Sequence, residues 1–260
     1  MSKTLKFYFK AVQASIKAQM QYRFSFIVNT LTYCIVILCD ILPVFIMMYH
    51  FKSLGGWNIY QVAALWGCVN IAVSFIKTFC VEIRLFQNYI VDGSFDTLLL
   101  RPWPTLLLLM SKNIRYFKLS GVIQGFIVLL LALVKLQVNY ITFLYLPIII
   151  VTSTITLFAL EVIIASLSFW FGRTGELNSM LSYAPTYAAM HPNNIYPRTL
   201  RVFMLVWPVS FLGYLQLSHL FGLGYGRWVL YVAPIVAMVA LFGALKVWAI
   251  GEKCYYSTGS

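Results

Sequence analysis

The sequence predicts an all-α, polytopic membrane protein with about six transmembrane helices. Hydrophobic residues make up 61% of its 260 residues and charged residues only 10%, whereas a soluble domain carries about 25% charged residues. Several apolar runs reach the roughly 20 residues that a helix needs to cross a hydrocarbon core. The net charge of +12 comes from Lys and Arg residues that flank these runs. This placement favours membrane lipid over nucleic acid as the partner of the basic residues.

The chain divides into three parts in order. Residues 1–23 alternate Lys with Leu, Phe and Val, which is typical of a helix lying at the membrane surface. Residues 24–250 form the transmembrane domain, and residues 251–260 form a short tail. Five crossings are predicted, in order along the chain, at 24–49, 57–80, 119–138, 141–171 and 228–250.

The stretch 172–227 is interrupted by prolines, which break helical hydrogen bonding. Two interpretations remain open. In the first, a short fifth helix spans about 177–190, and 191–227 forms broken, re-entrant helices at the outer face. In the second, 174–201 lies on the cytoplasmic surface and 202–222 is the crossing. Either interpretation adds one net crossing.

The distribution of Lys and Arg predicts the orientation. With a cytoplasmic N-terminus, the cytoplasmic side receives most of the basic residues outside the apolar runs, and the reverse orientation would invert this bias. We therefore expect both termini to be cytoplasmic and 81–118 to be the largest inner loop. Within that loop, Gly93 and Ser94 predict a turn, followed by a short helix over 94–101 that ends at Pro102. These residues alone leave open whether the helix only anchors in lipid headgroups or docks a partner.

Three charged residues lie inside apolar runs: Asp40, Lys77 and Glu161. Charges are costly in hydrocarbon, so we expect Asp40 and Glu161 to face the protein interior beside a polar partner. Contacts that fix helix packing are a more frequent role for such residues than contacts with a transported solute. The scattered His and Cys residues predict no metal site. We expect no cofactor, no catalytic constellation and no phosphate-binding loop of the GxxxxGK[ST] type.

Three short stretches carry a resemblance to a known family. They are Asp92 to Pro102, which includes Gly93, Asp96 and the Leu-Arg-Pro ending; His191 to Pro197 with its Ile-Tyr-Pro element; and the closing Tyr256 to Ser260. In this order, with six crossings, the chain resembles bacterial ABC type-2 exporter permeases of the six-helix branch with uncharacterised substrates.

The resemblance implies a membrane-spanning subunit of the bacterial inner membrane that forms half of a translocation pathway. It implies two partners, a separate P-loop ATPase and a second permease of the same or a similar chain. It also implies that the inner loop docks on the ATPase and that the broken helices gate the outer exit. A secondary transporter and a non-transporting membrane scaffold are the alternatives. The predicted ATPase-coupling residues are Phe95, Asp96, Leu98, Leu99 and Arg101, and the predicted outer-gate residues are Pro192, Tyr196, Pro197 and Pro208.

Overall fold

The structure, a computed structural model, describes residues 3–51 and 53–256. Within these ranges the chain is helical and contains no β-strand, which confirms the predicted all-α fold class. The first half of the chain contributes the helices α1 (Lys3–Gln21), α2 (Arg23–Phe51), α3 (Ile59–Phe79), α4 (Val81–Arg84), α5 (Phe86–Val91), α6 (Asp96–Leu99), α7 (Thr105–Lys112) and α8 (Leu119–Leu136). The second half contributes α9 (Tyr140–Ser166), α10 (Ser168–Phe171), α11 (Gly175–Asn178), α12 (Ala184–Ala188), α13 (Arg198–Val206), α14 (Tyr214–Leu220) and α15 (Trp228–Cys254).

Five helical stretches of the described chain are long and apolar enough to cross a membrane. They correspond to the five crossings expected from the apolar runs, and their bounds are Arg23–His50, Ile59–Phe79, Tyr116–Leu136, Thr142–Phe171 and Trp228–Cys254. The chain is therefore a multi-pass membrane protein. A sixth crossing stays a prediction.

Local sequence explains where these helices begin and how they satisfy their polar groups. The α3 helix begins at Asn58, whose side chain accepts a hydrogen bond from the Gln61 N–H while the Gln61 side chain accepts one from the Asn58 N–H. This reciprocal pair satisfies donors that the first helical turn leaves free. In α9, hydroxyl groups donate to carbonyl oxygens of the preceding turn, as Ser153 does to Ile149 at 2.7 Å. Such hydroxyls need no partner outside their own helix.

The closest helix packing is between α3 and α8, and it depends on glycine. A Cβ atom placed on Gly67 would lie 2.9 Å from the carbonyl oxygen of Gly125, and one on Gly125 would lie 2.7 Å from Cγ1 of Ile71. Small residues let membrane helices approach at backbone distance. Asn70 strengthens this contact, since its buried side-chain amide donates to the Gly121 carbonyl at 2.9 Å.

The remaining long helices arrange around this pair. The α9 helix packs against both α3 and α15, while α2 lies at the outside with most of its surface exposed. Exposed apolar residues along α2 include Leu31, Ile35 and Leu42. An exposed apolar helix surface is expected where lipid or another membrane subunit is the neighbour.

The proline-rich stretch folds into short helical pieces. A helical stretch runs through α11, a π-helical turn at Ser179–Tyr183 and α12, and it is followed by short helices at Asn193–Ile195, α13, Val209–Phe211 and α14. The α13 helix ends at Val206, so the continuous helix over 202–222 that the second interpretation requires is not formed. Pro192, Pro197 and Pro208 each directly precede one of these short helices. Proline lacks the N–H needed inside a helix but is tolerated at its start, which accounts for the interruptions.

The glycine contact yields a prediction about stability. We expect Gly67→Ala to lower the midpoint of thermal unfolding in detergent, because the added methyl group meets a backbone oxygen that cannot rotate away. Overpacking of this kind costs about 1–3 kcal/mol, partly offset by the better helix propensity of alanine. The matched control is Gly243→Ala in α15, where an added Cβ meets nothing within 4 Å. The control should leave the midpoint unchanged or raise it, and an equal drop in both variants would contradict the close-packing argument.

Candidate functional site

The 81–118 segment is a set of short helices, α4 to α7, and not a flexible loop. The helix predicted over 94–101 is confined to Asp96–Leu99, and no side-chain hydrogen bond caps its start. Its end before Pro102 agrees with the sequence prediction. The α7 helix, which directly follows Pro104, was not predicted.

An aromatic cluster fastens this segment to the ends of the long helices. Phe86 is fully buried, and its ring centroid lies 5.2 Å from that of Phe95 and 4.6 Å from that of Trp248. Phe169 and Tyr255 complete the cluster, with centroids 4.9 Å from Phe86 and 5.0 Å from Phe95, respectively. Edge-to-face and tilted ring pairs of this kind add to the burial energy. The cluster therefore joins α5 and the start of α6 to α10 and α15.

Polar contacts reinforce the same attachment. Thr105, at the start of α7, donates its hydroxyl hydrogen to the Glu252 carboxylate and accepts a bond of 3.1 Å from the Trp248 indole. On the other side, the Gln87 side-chain oxygen accepts from the Thr174 N–H at 2.8 Å. Burial and the nearby Asp96 carboxylate raise the pKa of the Tyr255 hydroxyl, which keeps this residue neutral. The segment is thus tied to the end of α15 and to the chain between α10 and α11.

Hydrogen bonding within the segment connects its own helices. Tyr89 in α5 donates to the Glu82 carboxylate of α4 at 2.6 Å. Burial and this hydrogen bond raise the pKa of the Tyr89 hydroxyl, so it stays a donor at neutral pH. The Lys112 ammonium of α7 lies 4.4 Å from the centre of the Tyr89 ring, which is a cation–π geometry.

A buried ion pair is the central electrostatic contact of the molecule. Arg84 Nε, at the end of α4, lies 3.1 Å from Oε1 of Glu161 in α9, and the two side chains are 12% and 2% exposed. Ser182 donates to the same carboxylate oxygen at 2.6 Å. The Arg84 guanidinium also lies 4.1 Å from the centre of the Tyr183 ring. The π-helical turn presents both Ser182 and Tyr183, and turns of this type are frequent at functional sites.

As expected, Glu161 faces the protein interior beside polar partners, Arg84 and Ser182. The sequence did not identify Arg84 as its partner, because 77 positions separate the two residues and nothing local connects them. Lys77 is half-buried, and its ammonium lies 3.4 Å from the Tyr187 hydroxyl. Asp40 is exposed on α2 in the single chain, so the expectation that it faces a protein interior stays a prediction.

The predicted ATPase-coupling residues separate into two sets. Phe95 and Leu98 are 0% and 2% exposed, so these side chains are not available at the surface, and the prediction that they form a contact face does not fit the structure. Asp96 is half-buried, whereas Leu99 and Arg101 are exposed. Leu100, which the prediction omitted, is 87% exposed. We call Leu99, Leu100 and Arg101 the tip of the segment.

The predicted outer-gate residues lie in one connected region. Pro192 is buried, Tyr196 and Pro208 are half-buried, and Pro197 is exposed. The Tyr196 hydroxyl donates to the Ala188 carbonyl at 3.2 Å. Nearby, the Asn193 side-chain amide donates to the Ser210 hydroxyl at 2.7 Å. The broken helices are therefore held to one another by specific hydrogen bonds.

Two sequence-derived expectations concern metal ions and the tail. Across residues 3–51 and 53–256, no group of three or more His, Cys, Asp or Glu residues could hold a metal ion. Of the predicted tail, 251–256 is described, and the last four residues of the closing motif lie outside the described residues.

The ion pair yields a prediction about folding. We expect Arg84→Met to destabilise the protein by about 3–5 kcal/mol, because it leaves the Glu161 carboxylate buried without a counter-charge. Combining it with Glu161→Met should recover most of that loss, since an apolar pair of similar volume removes both charges. Thermal unfolding in detergent measures both effects, with Glu176→Gln at an exposed carboxylate as the control. A double variant no more stable than the single one would contradict the pairing.

Comparison with known proteins agrees with the resemblance found in the motifs. The family model described as "ABC-2 family transporter protein" matches residues 34–259. No curated protein and no solved structure matches the chain. The match includes the helices that form the ion pair, the aromatic cluster and the proline-rich stretch. Because it covers most of the sequence, the chain belongs to the ABC-2 transporter family.

Proposed function

We propose that this chain is the membrane-spanning subunit of an ABC exporter, in which it forms half of the translocation pathway and is driven by a separate ATPase. Membership of the ABC-2 family makes the chain a membrane permease component of an ABC transporter. The direction of transport, the ATPase and the second permease are our proposal. The observation that carries it is an exposed tip on a segment that is firmly attached to two membrane helices.

The sequence supports a separate ATPase as the partner. The chain contains no GxxxxGK[ST] pattern, whose backbone amides and Lys would cradle the phosphates of ATP. The partner that binds ATP must therefore contact this chain on the side where ATP is found, the cytoplasm. The tip suits such a contact, since Leu99 and Leu100 are 45% and 87% exposed and Arg101 adds a charge that can set the register.

The attachment of the segment explains how a push at the tip would reach the membrane. Phe95 and Leu98, directly beside the tip, are buried, so their proposed role is to hold the tip and not to touch the ATPase. The aromatic cluster carries a displacement to Trp248 in α15. The Arg84–Glu161 pair carries it to α9 and, through Ser182, to the proline-rich stretch. Close-packed interiors move as units and do not deform continuously.

The proposed topology puts both termini in the cytoplasm of a bacterium, with the chain in its inner membrane. The Lys and Arg distribution supports this orientation, and it requires an even number of crossings. The sixth would lie in the stretch from α11 to α12, whose 14 residues from Gly175 to Ala188 reach about 21 Å as helix. This length is less than the roughly 30 Å of hydrocarbon, so α13 and α14 would complete the crossing as re-entrant pieces.

A second permease is proposed because polar groups lie at the surface of this chain at membrane depth. Asp40 is exposed on α2, and it lies within electrostatic range of Lys77 and Tyr187. Facing lipid, a carboxylate would cost at least about 2.5–3.5 kcal/mol. A partner permease, or an aqueous path between the two permeases, would remove that cost.

The outer gate is proposed at the broken helices that contain Pro192, Tyr196, Pro197 and Pro208. Helices interrupted at three prolines can change their relative angles at the breaks. The hydrogen bonds of Tyr196 and Asn193 would hold the closed arrangement.

The tip predicts uncoupling by a surface substitution. We expect Leu99→Ser with Leu100→Ser to leave insertion and folding unchanged, because both side chains are exposed, but to reduce binding of the partner ATPase. Loss of an apolar contact pair of this size should weaken binding by about tenfold or more. Co-purification and ATP-dependent transport into inverted vesicles measure the effect.

The control for this experiment is Tyr256→Ser, which alters a side chain that is equally exposed at 87%. It should bind the ATPase as the unaltered chain does. Normal binding and transport by the Leu99, Leu100 double variant would reject the tip as the contact. Transport that persists without any ATPase would favour a secondary transporter instead.

The topology has its own test. In a variant lacking the native cysteines, we expect a membrane-impermeant maleimide to label Ser53→Cys in intact cells and to miss Ser111→Cys. Permeabilised cells should show labelling at both positions, which controls for accessibility. Labelling of Ser111→Cys before permeabilisation would reverse the proposed orientation.

A further inference from the structure

A large groove lies between the N-terminal helix and the 81–118 segment. Its volume is about 810 Å³, and it is bounded by α1, the beginning of α2, α7 and the chain leading into α8. The two spans beside it, Arg23–His50 and Tyr116–Leu136, both begin at this level. The groove therefore lies where the hydrocarbon layer gives way to the headgroups, on the side of the segment's tip.

One wall of the groove carries three cationic side chains. Arg101, Lys112 and Arg115 line it, and no Asp or Glu does. The Arg84–Glu161 ion pair involves none of the three cations, and the Lys112 ammonium lies 4.4 Å from the centre of the Tyr89 ring. Arg101 and Lys112 are exposed, and Arg115 is half-buried. Three cations converging on one cavity attract an anion, and arginine suits phosphate oxygens in particular.

The opposite wall carries an apolar strip along α1, beside the polar side chains of Ser15, Gln19, Ser25 and Asn29. Ala11, Ala14 and Ala18 lie at helical spacing along α1, and Phe26 and Phe117 close the end near the spans. Small alanine side chains leave room beside α1 for a hydrocarbon chain. The groove thus combines a cationic end with an apolar channel, which is the chemical division of a phospholipid.

We infer that this groove binds an anionic phospholipid of the surrounding leaflet, with its phosphate at Arg101, Lys112 and Arg115 and an acyl chain along the alanine face of α1. Basic pockets beside membrane helices on the cytoplasmic side recognise acidic lipid headgroups in this manner. A soluble phosphate compound would satisfy the cations but would leave the apolar wall in contact with water. Because Arg101 belongs to the tip, the bound lipid would link α1 to the 81–118 segment.

The test uses the full chain, purified in a neutral detergent, with lipid binding followed by native mass spectrometry. Phosphatidylglycerol and phosphatidylcholine of identical acyl chains are compared at equal concentrations. We expect clear retention of phosphatidylglycerol, and at least about tenfold weaker retention by the variant R101Q/K112Q/R115Q. The matched control K135Q/R173Q/R227Q removes the same charge at exposed positions away from the groove, and it should bind within about twofold of the unaltered chain.

Further measurements distinguish the possible ligands and control for misfolding. Ala14→Trp fills the apolar channel while keeping all three cations, and it should also weaken phosphatidylglycerol binding. Inorganic phosphate and glycerol phosphate at millimolar concentration should fail to displace the lipid. Equal binding of the two lipids, or unchanged binding by both groove variants, would overturn the inference. Displacement by soluble phosphate would assign the site to a soluble ligand. The measurement needs no ATPase, so its outcome is independent of the proposed transport function.

Discussion

The Arg84–Glu161 ion pair sets the constraint on which the rest of the arrangement depends. Two opposite charges 3.1 Å apart inside an apolar protein cannot be separated without leaving each one unpaired, at a cost of about 3–5 kcal/mol. The pair contributes little net stability compared with apolar residues. It disfavours other arrangements of these helices, because they would leave a buried charge unpaired. It requires α4, α9 and the π-helical turn that presents Ser182 to meet at one point. The position of the 81–118 segment relative to the membrane helices follows from that meeting.

Around this point the molecule divides into tightly packed and interrupted parts. The α3–α8 contact, where Gly67 and Gly125 bring two backbones together, leaves no room for sliding. In contrast, the stretch from α11 to α14 is divided at prolines into short pieces, which Asn193 and Tyr196 link by side-chain hydrogen bonds. A displacement that enters through the ion pair would therefore move the long helices as units and would be absorbed as changed angles at the prolines. This difference in stiffness supports our proposal that the stretch acts as the outer gate.

The sequence predicted the fold class and the five long helices because apolar length is a property of each segment alone. It predicted a buried, partnered Glu161 for the same reason, since an isolated charge in an apolar run needs a partner. It could not predict which apolar residues of the 81–118 segment face inward. In a membrane protein, both lipid and protein accept apolar side chains, so hydrophobicity does not indicate direction. Phe95 and Leu98 were accordingly assigned to the surface, whereas the structure buries them and exposes Leu100.

The same ambiguity makes the exposed polar residues more informative than the exposed apolar ones. The apolar surface of α2 is compatible with lipid and with a partner, so it cannot distinguish the two. Asp40 can distinguish lipid from a protein partner, because placing a carboxylate in lipid is costly. The chain itself leaves this side chain exposed. Lys77 lies within electrostatic range of it, yet the two do not form an ion pair of the kind seen at Arg84. A surface that exposes Asp40 at this cost supports our proposal that the chain forms half of a pathway beside a second permease.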